Sequence, residues 1–318
     1  MIHGWIVLDK PVGLGSTKAV AAVKRAFREA GEPKTKVGHG GTLDPLASGV
    51  LPIAIGEATK VAGRMLEATK AYDFTILFGE ETDTLDAEGE AVASSDIRPT
   101  RAEVEAVLPA FTGPIEQIPP AYSAIRIEGK AAYARARAGE EVELKPRKVS
   151  IRSLCICHPN EGCGPDPGLD SSLSGNDGGV AEITLSATVS KGTYIRSLAR
   201  DIAHALGTVG HVSYLRRTRA GPFGLESAIS LDFLDELAKA RDLTRAVLPL
   251  EAALDDIPAL PVTPDQARLL RHGQRLGGFP ERPGLHLATS DGIPVALVEA
   301  LADGLKVVRG FNFPDVAE

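Results

Sequence analysis

Gly38-His39-Gly40-Gly41-Thr42-Leu43-Asp44-Pro45-Leu46-Ala47-Ser48-Gly49 is the most informative stretch of this 318-residue chain. Its glycines permit tight turns and close approach of backbone to a ligand. A single carboxylate, Asp44, stands between a leucine and a proline, and Pro45 restricts Asp44 to extended conformations. Val37–Gly49 shows no period and reads as a loop. A buried strand is expected over Val50–Ile55 and a helix over Glu57–Leu66, so the loop sits on a rigid platform that presents one reactive group. Other readings of the glycines are a plain turn or a phosphate cradle. No Lys-Ser/Thr pair follows them, which argues against a nucleotide P-loop, and no further His, Asp or Glu stands at ligand spacing for a metal.

Outward from the loop, Gly4–Asp9 reads as a strand stopped by Asp9-Lys10-Pro11. Ser16 is a candidate N-cap of a helix carrying Val20, Val23 and Phe27, which Gly31 and Pro33 end. Ala71–Phe78 alternates as a strand. Thr100 is a candidate cap for a helix to Leu108. Tyr122–Ile127 and Val149–Ile156 are strand-like, with a helix near Lys130–Ala138. His158–Gly179 is rich in Gly, Ser, Asp, Asn and Pro and reads as a flexible insertion before a strand at Ala181–Val189. Tyr194–Leu206 is an amphipathic helix and His211–Arg219 a strand. Helices are expected near Asp232–Lys239 and Thr244–Val247. Asp256–Pro261 looks like a domain junction, followed by a helix at Pro264–Arg271 and strands at Pro294–Leu301 and Gly304–Phe311. Interleaving without regular alternation predicts an α+β domain around a mixed sheet rather than a doubly wound parallel one, with a small β-rich domain appended.

The composition fits a globular protein, with 43% hydrophobic residues and 5% aromatics. No apolar run approaches the roughly 20 residues of a membrane span, and the amino terminus lacks signal-peptide features, so a cytoplasmic location is expected. The net charge of −7 alone argues against nucleic acid. The basic residues are nonetheless grouped, in Lys18–Lys36 and in Lys191–Arg219, which is compatible with a basic cleft on an acidic protein. The cysteines, Cys155, Cys157 and Cys163, lie in one short stretch and make a poor disulfide framework. Cys155-Ile156-Cys157-His158 with Cys163 lacks standard zinc spacing; two cysteines on one strand face is the simpler reading.

The loop carries the Gly-His-x-Gly-x-Leu-Asp-Pro-Leu-Ala-x-Gly signature and resembles the bacterial tRNA pseudouridine synthases of the TruB type. The resemblance extends collinearly through Gly4–Pro11, Gly56–Lys60, Lys70–Tyr72, Asp83–Gly89, Pro119–Ala124, Lys191–Arg196 and Tyr214–Arg217, roughly Gly4 to Gly221. It implies the pseudouridine-synthase fold, a mixed and mainly antiparallel sheet flanked by helices over 1–255, with a PUA-like RNA-binding domain over 258–318. It also implies isomerisation of uridine 55 in the T-loop of tRNA, with the target base flipped out. The resemblance further implies that no cofactor, metal, membrane or protein partner is required and that such an enzyme acts as a monomer. Asp44 is then the catalytic carboxylate and Arg196 aims it. Tyr72, Tyr194 and Leu215 line the uracil pocket, His39 fills the gap left by the base, and Lys18 and Lys60 contact phosphates.

Overall fold

The computed structural model describes residues 1–123, 125–127, 129–140, 144–157, 178–278 and 283–313. The expected insertion falls outside the described residues except at Gly178 and Gly179, as do His158 and Cys163.

The chain opens with β1 (Gly4–Lys10), α1 (Ser16–Glu29), β2 (Val37–His39), β3 (Ser48–Ile55), α2 (Ala62–Glu67) and β4 (Lys70–Phe78). Among the described residues, nine strands form the main sheet. Its backbone order is β1, β3, the strand Gly210–Ala220, β4, then Glu182–Val189, Arg147–Ile156 and Gly113–Gln117. Every pairing is antiparallel except that between β3 and Gly210–Ala220, which sets Arg216 beside Ser48 and Arg217 beside Gly49. This one parallel contact brings the carboxyl end of the glycine-rich loop against a strand that lies far away in sequence.

Every residue of β3 is buried, because it has a core on each side. Alternation sends Leu51, Ile53 and Ile55 into a core with Ile6, Leu8, Phe74 and the helix Ile195–Ala205. Val50 and Ala54 go the other way, to Trp5, Val7, Met65 and Phe223. That second core takes in Leu287, Leu297 and Phe311 from the carboxyl-terminal sheet. The latter runs Ala259–Pro261, Gly284–Ser290, Ile293–Leu301, Gly304–Gly310. Its other face closes on the helix Pro264–Arg271 through Ala267 and Leu270. The small β domain therefore has its own core and shares another with the main domain.

The α+β reading and most elements hold. Thr100 caps its helix through a capping box with Glu103, and Tyr194 is the N-cap residue of Ile195–Ala205. Other expectations need correction. Ser16 is not an N-cap: Gly15 holds that position, and the Ser16 hydroxyl is used elsewhere. Val37–Gly49 is not all loop, since Val37–His39 pairs with Ile55–Ile53 of β3. Glu57–Leu66 splits into a 3₁₀ turn, Gly56–Lys60, and α2. The strand expected over Tyr122–Ile127 shrinks to Arg126–Ile127, and the helix near Lys130–Ala138 to Ala132–Arg137. Thr244–Val247 is a 3₁₀ turn, Leu243–Ala246. The junction ends earlier than expected because Ala259–Pro261 joins the second sheet parallel to Gly284–Ser290, a strand the periodicity did not reveal. Cys155 is exposed and Cys157, one residue beyond its strand, is buried.

Phe311 is fully buried in the shared core. Phe311→Ala is expected to cost about 3–5 kcal/mol, as other large-to-small core changes do. Denaturant titration is expected to show one cooperative transition at a lower midpoint, not separate melting of the two sheets.

Candidate active site

Asp44 sits where the loop turns between β2 and β3. The segment is tied on every side. Gly13 donates its amide to the Pro45 carbonyl at 2.8 Å, and the Asp44 carbonyl accepts from Ala47 N at 3.1 Å. The Ser16 hydroxyl donates to Leu43 O and accepts from Leu43 N, both at 2.9 Å. Leu43 is buried, so both of its main-chain groups need partners, and Ser16 supplies them. Lys10, wholly buried, donates from Nζ to Pro11 O at 2.9 Å, Leu14 O at 2.7 Å and Pro45 O at 3.3 Å. Arg217 brackets the loop from the far side, Nε to Val50 O at 2.7 Å and Nη1 to Thr42 O at 3.1 Å. Its Nη2 has no hydrogen-bond partner among the described residues.

Two glycines of the loop, Gly40 and Gly49, are required by this geometry. A Cβ on Gly40 would lie 2.7 Å from Met65 Cβ of α2. Gly49 has φ +100°, and a Cβ there would lie 2.2 Å from the Arg217 carbonyl oxygen, across the parallel pairing.

The carboxylate of Asp44 is 38% exposed and opens into a cavity of ≈ 280 Å³. That is near the lower end of ligand-pocket sizes, roughly 300–1,000 Å³, and suits one nucleobase. Arg196 Nη2 lies 2.8 Å from Asp44 Oδ2. The same guanidinium reaches Asp86 Oδ2 at 3.2 Å and donates to Thr84 O at 2.8 Å and Tyr122 O at 3.0 Å. Its side chain is only 6% exposed. Asp86 is buried as well and is held by the Thr84 hydroxyl at 2.6 Å and the Glu88 amide at 3.1 Å. Arg196 is thus fixed by two carboxylates and two carbonyls, which orients the bond it makes to Asp44.

Tyr72, Tyr194 and Leu215 line the cavity with Asp44 and Arg196. The Tyr194 main chain is gripped by buried Gln117, which accepts from Tyr194 N at 2.8 Å and donates to Tyr194 O at 3.1 Å. Burial, the largest influence, pushes the Tyr194 phenol pKa up, so it stays protonated at neutral pH. His39 lies beside the loop on β2, its Nδ1 3.4 Å from Gly41 N; burial and then Arg217 lower its pKa, which keeps it neutral.

The two lysines are not brought into the cavity wall. Lys18 is exposed on α1. Lys60 Nζ pairs with Glu57 at 2.7 Å and donates to Gly310 O at 3.0 Å, fastening the small β domain to the main one. Sequence reasoning gave no role to Asp86, Lys10, Lys70, Gln117 or Arg217. Lys10 was visible as part of a turn, and Asp86 within a matching segment. Among the described residues, no group of three or more His, Cys, Asp or Glu side chains is placed to hold a metal, and no helix is long and apolar enough to cross a membrane.

Residues 24–195 match the family model described as TruB family pseudouridylate synthase, N-terminal domain, and residues 196–255 match that of the tRNA pseudouridylate synthase B C-terminal domain. The chain is 58% identical over 318 residues to the tRNA pseudouridine synthase B of Novosphingobium aromaticivorans, covering 100% of both. It is 47% identical to that of Caulobacter vibrioides over 322 residues, 98% of this chain and 96% of that protein. A solved Cbf5-Nop10-Gar1 complex contains a chain with the same fold, with TM-score 0.67 and 26% identity over 97% of this chain and 85% of that one. By class the protein is a pseudouridine synthase, an isomerase. Within that class, the chain belongs to the TruB family.

Two outcomes follow from the geometry. Asp86→Asn removes one of the carboxylates that fix Arg196, and a displacement of about 1 Å at the reacting centre is worth about 10²-fold. Single-turnover rates are expected to fall by that order, with thermal melting recorded alongside. Lys10 is pushed down to about 8, mainly by burial, with Asp44 opposing the shift and Arg217 adding to it. Losing its proton leaves two donors for three carbonyls. Activity is expected to decline as pH rises through about 8, measured as a pH–rate profile.

Proposed function

We propose that this protein converts one uridine of the tRNA T-loop, position 55, to pseudouridine, and that Asp44 is the catalytic carboxylate. The observation that carries the reading is Asp44 itself: one carboxylate, open to a base-sized cavity, aimed by a buried Arg196 and faced by Tyr72, Tyr194 and Leu215. The names of the relatives, tRNA pseudouridine synthases, support tRNA as the substrate.

The reaction breaks the C1′–N1 bond, turns the uracil, and joins C1′ to C5. The hydrogen on C5 is lost as a proton and N1 gains one, so the product is an isomer of the substrate. A carboxylate serves this chemistry by attacking C1′ or by assisting proton loss at C2′, and both routes use Asp44 in the same place. The base reaches the cavity only after leaving the stack. In this reading Tyr72 packs on it and takes the C5 proton, while Tyr194, its phenol pKa raised by burial, and Leu215 close the other sides. The neutral, half-buried His39 fills the space the base vacates. Lys18, free on the surface of α1, is available to a phosphate. Lys60 is committed between the domains and is not part of the proposal. The small carboxyl-terminal β domain, which the resemblance reads as PUA-like, adds RNA-binding surface. The protein acts in the cytoplasm as a monomer, without guide RNA or partner.

Incubation of the protein with an unmodified tRNA transcript, in chelator and without nucleotide, is expected to yield pseudouridine at position 55 alone when mapped by position. Asp44→Asn is expected to lower the rate on the order of 10⁴-fold or more while retaining tRNA binding. Undiminished pseudouridine formation by that variant would overturn the assignment. Binding without any isomerisation by the unaltered protein would favour a tRNA-binding factor instead.

A further inference from the structure

The mouth of the cavity has two facing rims. One is the end of α2, where Leu66 lines the cavity and Glu67 is the last helical residue. The other is the turn leading into the helix Ile195–Ala205, where Ser190, Gly192 and Thr193 line the cavity and Lys191 stands among them. Lys191 Nζ and the Glu67 carboxylate meet across the gap as an ion pair.

The backbone of both rims is tied by hydrogen bonds. Ser190 N donates to Ser150 O and Ser150 N to Ser190 Oγ, each at 2.8 Å. The Thr193 hydroxyl donates to Ser190 O at 2.9 Å, and Gly192 turns the chain at φ +77°. On the α2 side, Lys70 Nζ donates to Leu66 O and Ala68 O, both at 2.7 Å. The two charged side chains, in contrast, are 58% and 63% exposed, so water competes for their pairing and the bond between them is weak. They can part without any movement of the backbone.

The charge around the mouth is unbalanced. Asp44 and Asp86 share the single guanidinium of Arg196. Lys70 and Arg217 line the cavity and have no ion-pair partner among the described residues. Burial first and Arg217 next push the Lys70 pKa down to about 8, with Glu67 favouring its charge and Lys191 opposing it. Glu67 thus sets an anionic group beside Lys191 at a rim behind which Lys70 and Arg217 line the cavity. A nucleotide whose base enters the cavity carries its phosphates on the sugar outside, at this rim.

We propose that Lys191 is a phosphodiester contact at the cavity mouth, and that Glu67 holds its place in the free protein as an internal stand-in which the RNA backbone displaces. The proposal rests on the RNA-base reading of the cavity. Glu67 then opposes RNA binding, although it makes an attractive contact in the free protein, and this gives the two residues effects of opposite sign.

The test is the affinity for an unmodified tRNA transcript, measured over a range of salt concentrations in the Asp44→Asn background so that no turnover intervenes. Glu67→Gln is expected to tighten binding about two- to five-fold, the scale of one exposed ion pair. Lys191→Met is expected to weaken binding and reduce the slope of log K against log salt by roughly 0.7–0.9, the value of one phosphate contact. Once Lys191→Met is present, Glu67→Gln is expected to add no further tightening. Equal or weaker binding by Glu67→Gln overturns the proposal, as does an unaltered salt slope in Lys191→Met. A protein that forms pseudouridine but lacks this pattern refutes the phosphate contact alone. One that shows the pattern but, with Asp44 restored, never isomerises the transcript refutes the catalytic reading alone.

Discussion

A guanidinium buried at the base of the cavity is costly to remove from water, and the surrounding structure is arranged to compensate for it. Arg196 meets Asp44 on one side and Asp86 on the other, and two carbonyls take further hydrogens. An incompletely partnered charge here would carry a desolvation penalty of several kcal/mol. The partners come from three separate segments, the glycine loop, the Thr84–Glu88 turn and Tyr122, and they meet on a fourth, the helix that bears Arg196. Assembling the charge cluster and assembling the site are therefore one event. Asp86 uses its second oxygen to fix its own turn, so the orientation passed to Asp44 begins two residues deep in the protein.

The loop is held by the same principle applied to backbone. Lys10, Ser16 and Arg217 come from β1, α1 and the strand Gly210–Ala220, and each spends its side chain on loop carbonyls or amides. A loop secured from three elements needs little reorganisation when charge develops beside it, which is the condition for electrostatic stabilisation of a reaction. Gly40 and Gly49 complete the arrangement by letting α2 and the Arg217 backbone approach closely. Arg217 serves both needs, bracketing the loop while adding uncompensated positive charge to the cavity wall.

This local concentration of cations resolves the apparent conflict between a net charge of −7 and a polyanionic substrate class. The field felt by a ligand depends on which groups line the cleft more than on the total. Lys70, Arg196 and Arg217 line the cavity, with Lys10 behind the loop. The acidic residues that dominate the total lie largely elsewhere. The small β domain is joined through a shared apolar core and through Lys60, Glu57 and Asn312, so the main domain and its appendage present one continuous body.

The sequence by itself determined the regular elements and the identity of the loop. Resemblance to a known family, not any local pattern, singled out Asp44 with Arg196, Tyr72, Tyr194 and Leu215, whereas periodicity placed β4 and the helix Ile195–Ala205, and Thr100 announced its cap. The latter are local patterns, in which each residue's neighbours along the chain supply the information. Tertiary structure alone decided that Val37–His39 is a strand, that Ser16 binds the loop instead of capping its helix, and that Lys60 joins two domains instead of facing a phosphate. It also decided the parallel contact of β3 with Gly210–Ala220, and the roles of Asp86 and Arg217. The physical reason is common to these cases. A polar side chain bonds to whichever buried group most needs a partner, and that group is brought near by packing across more than a hundred residues, as Val50 is to Arg217.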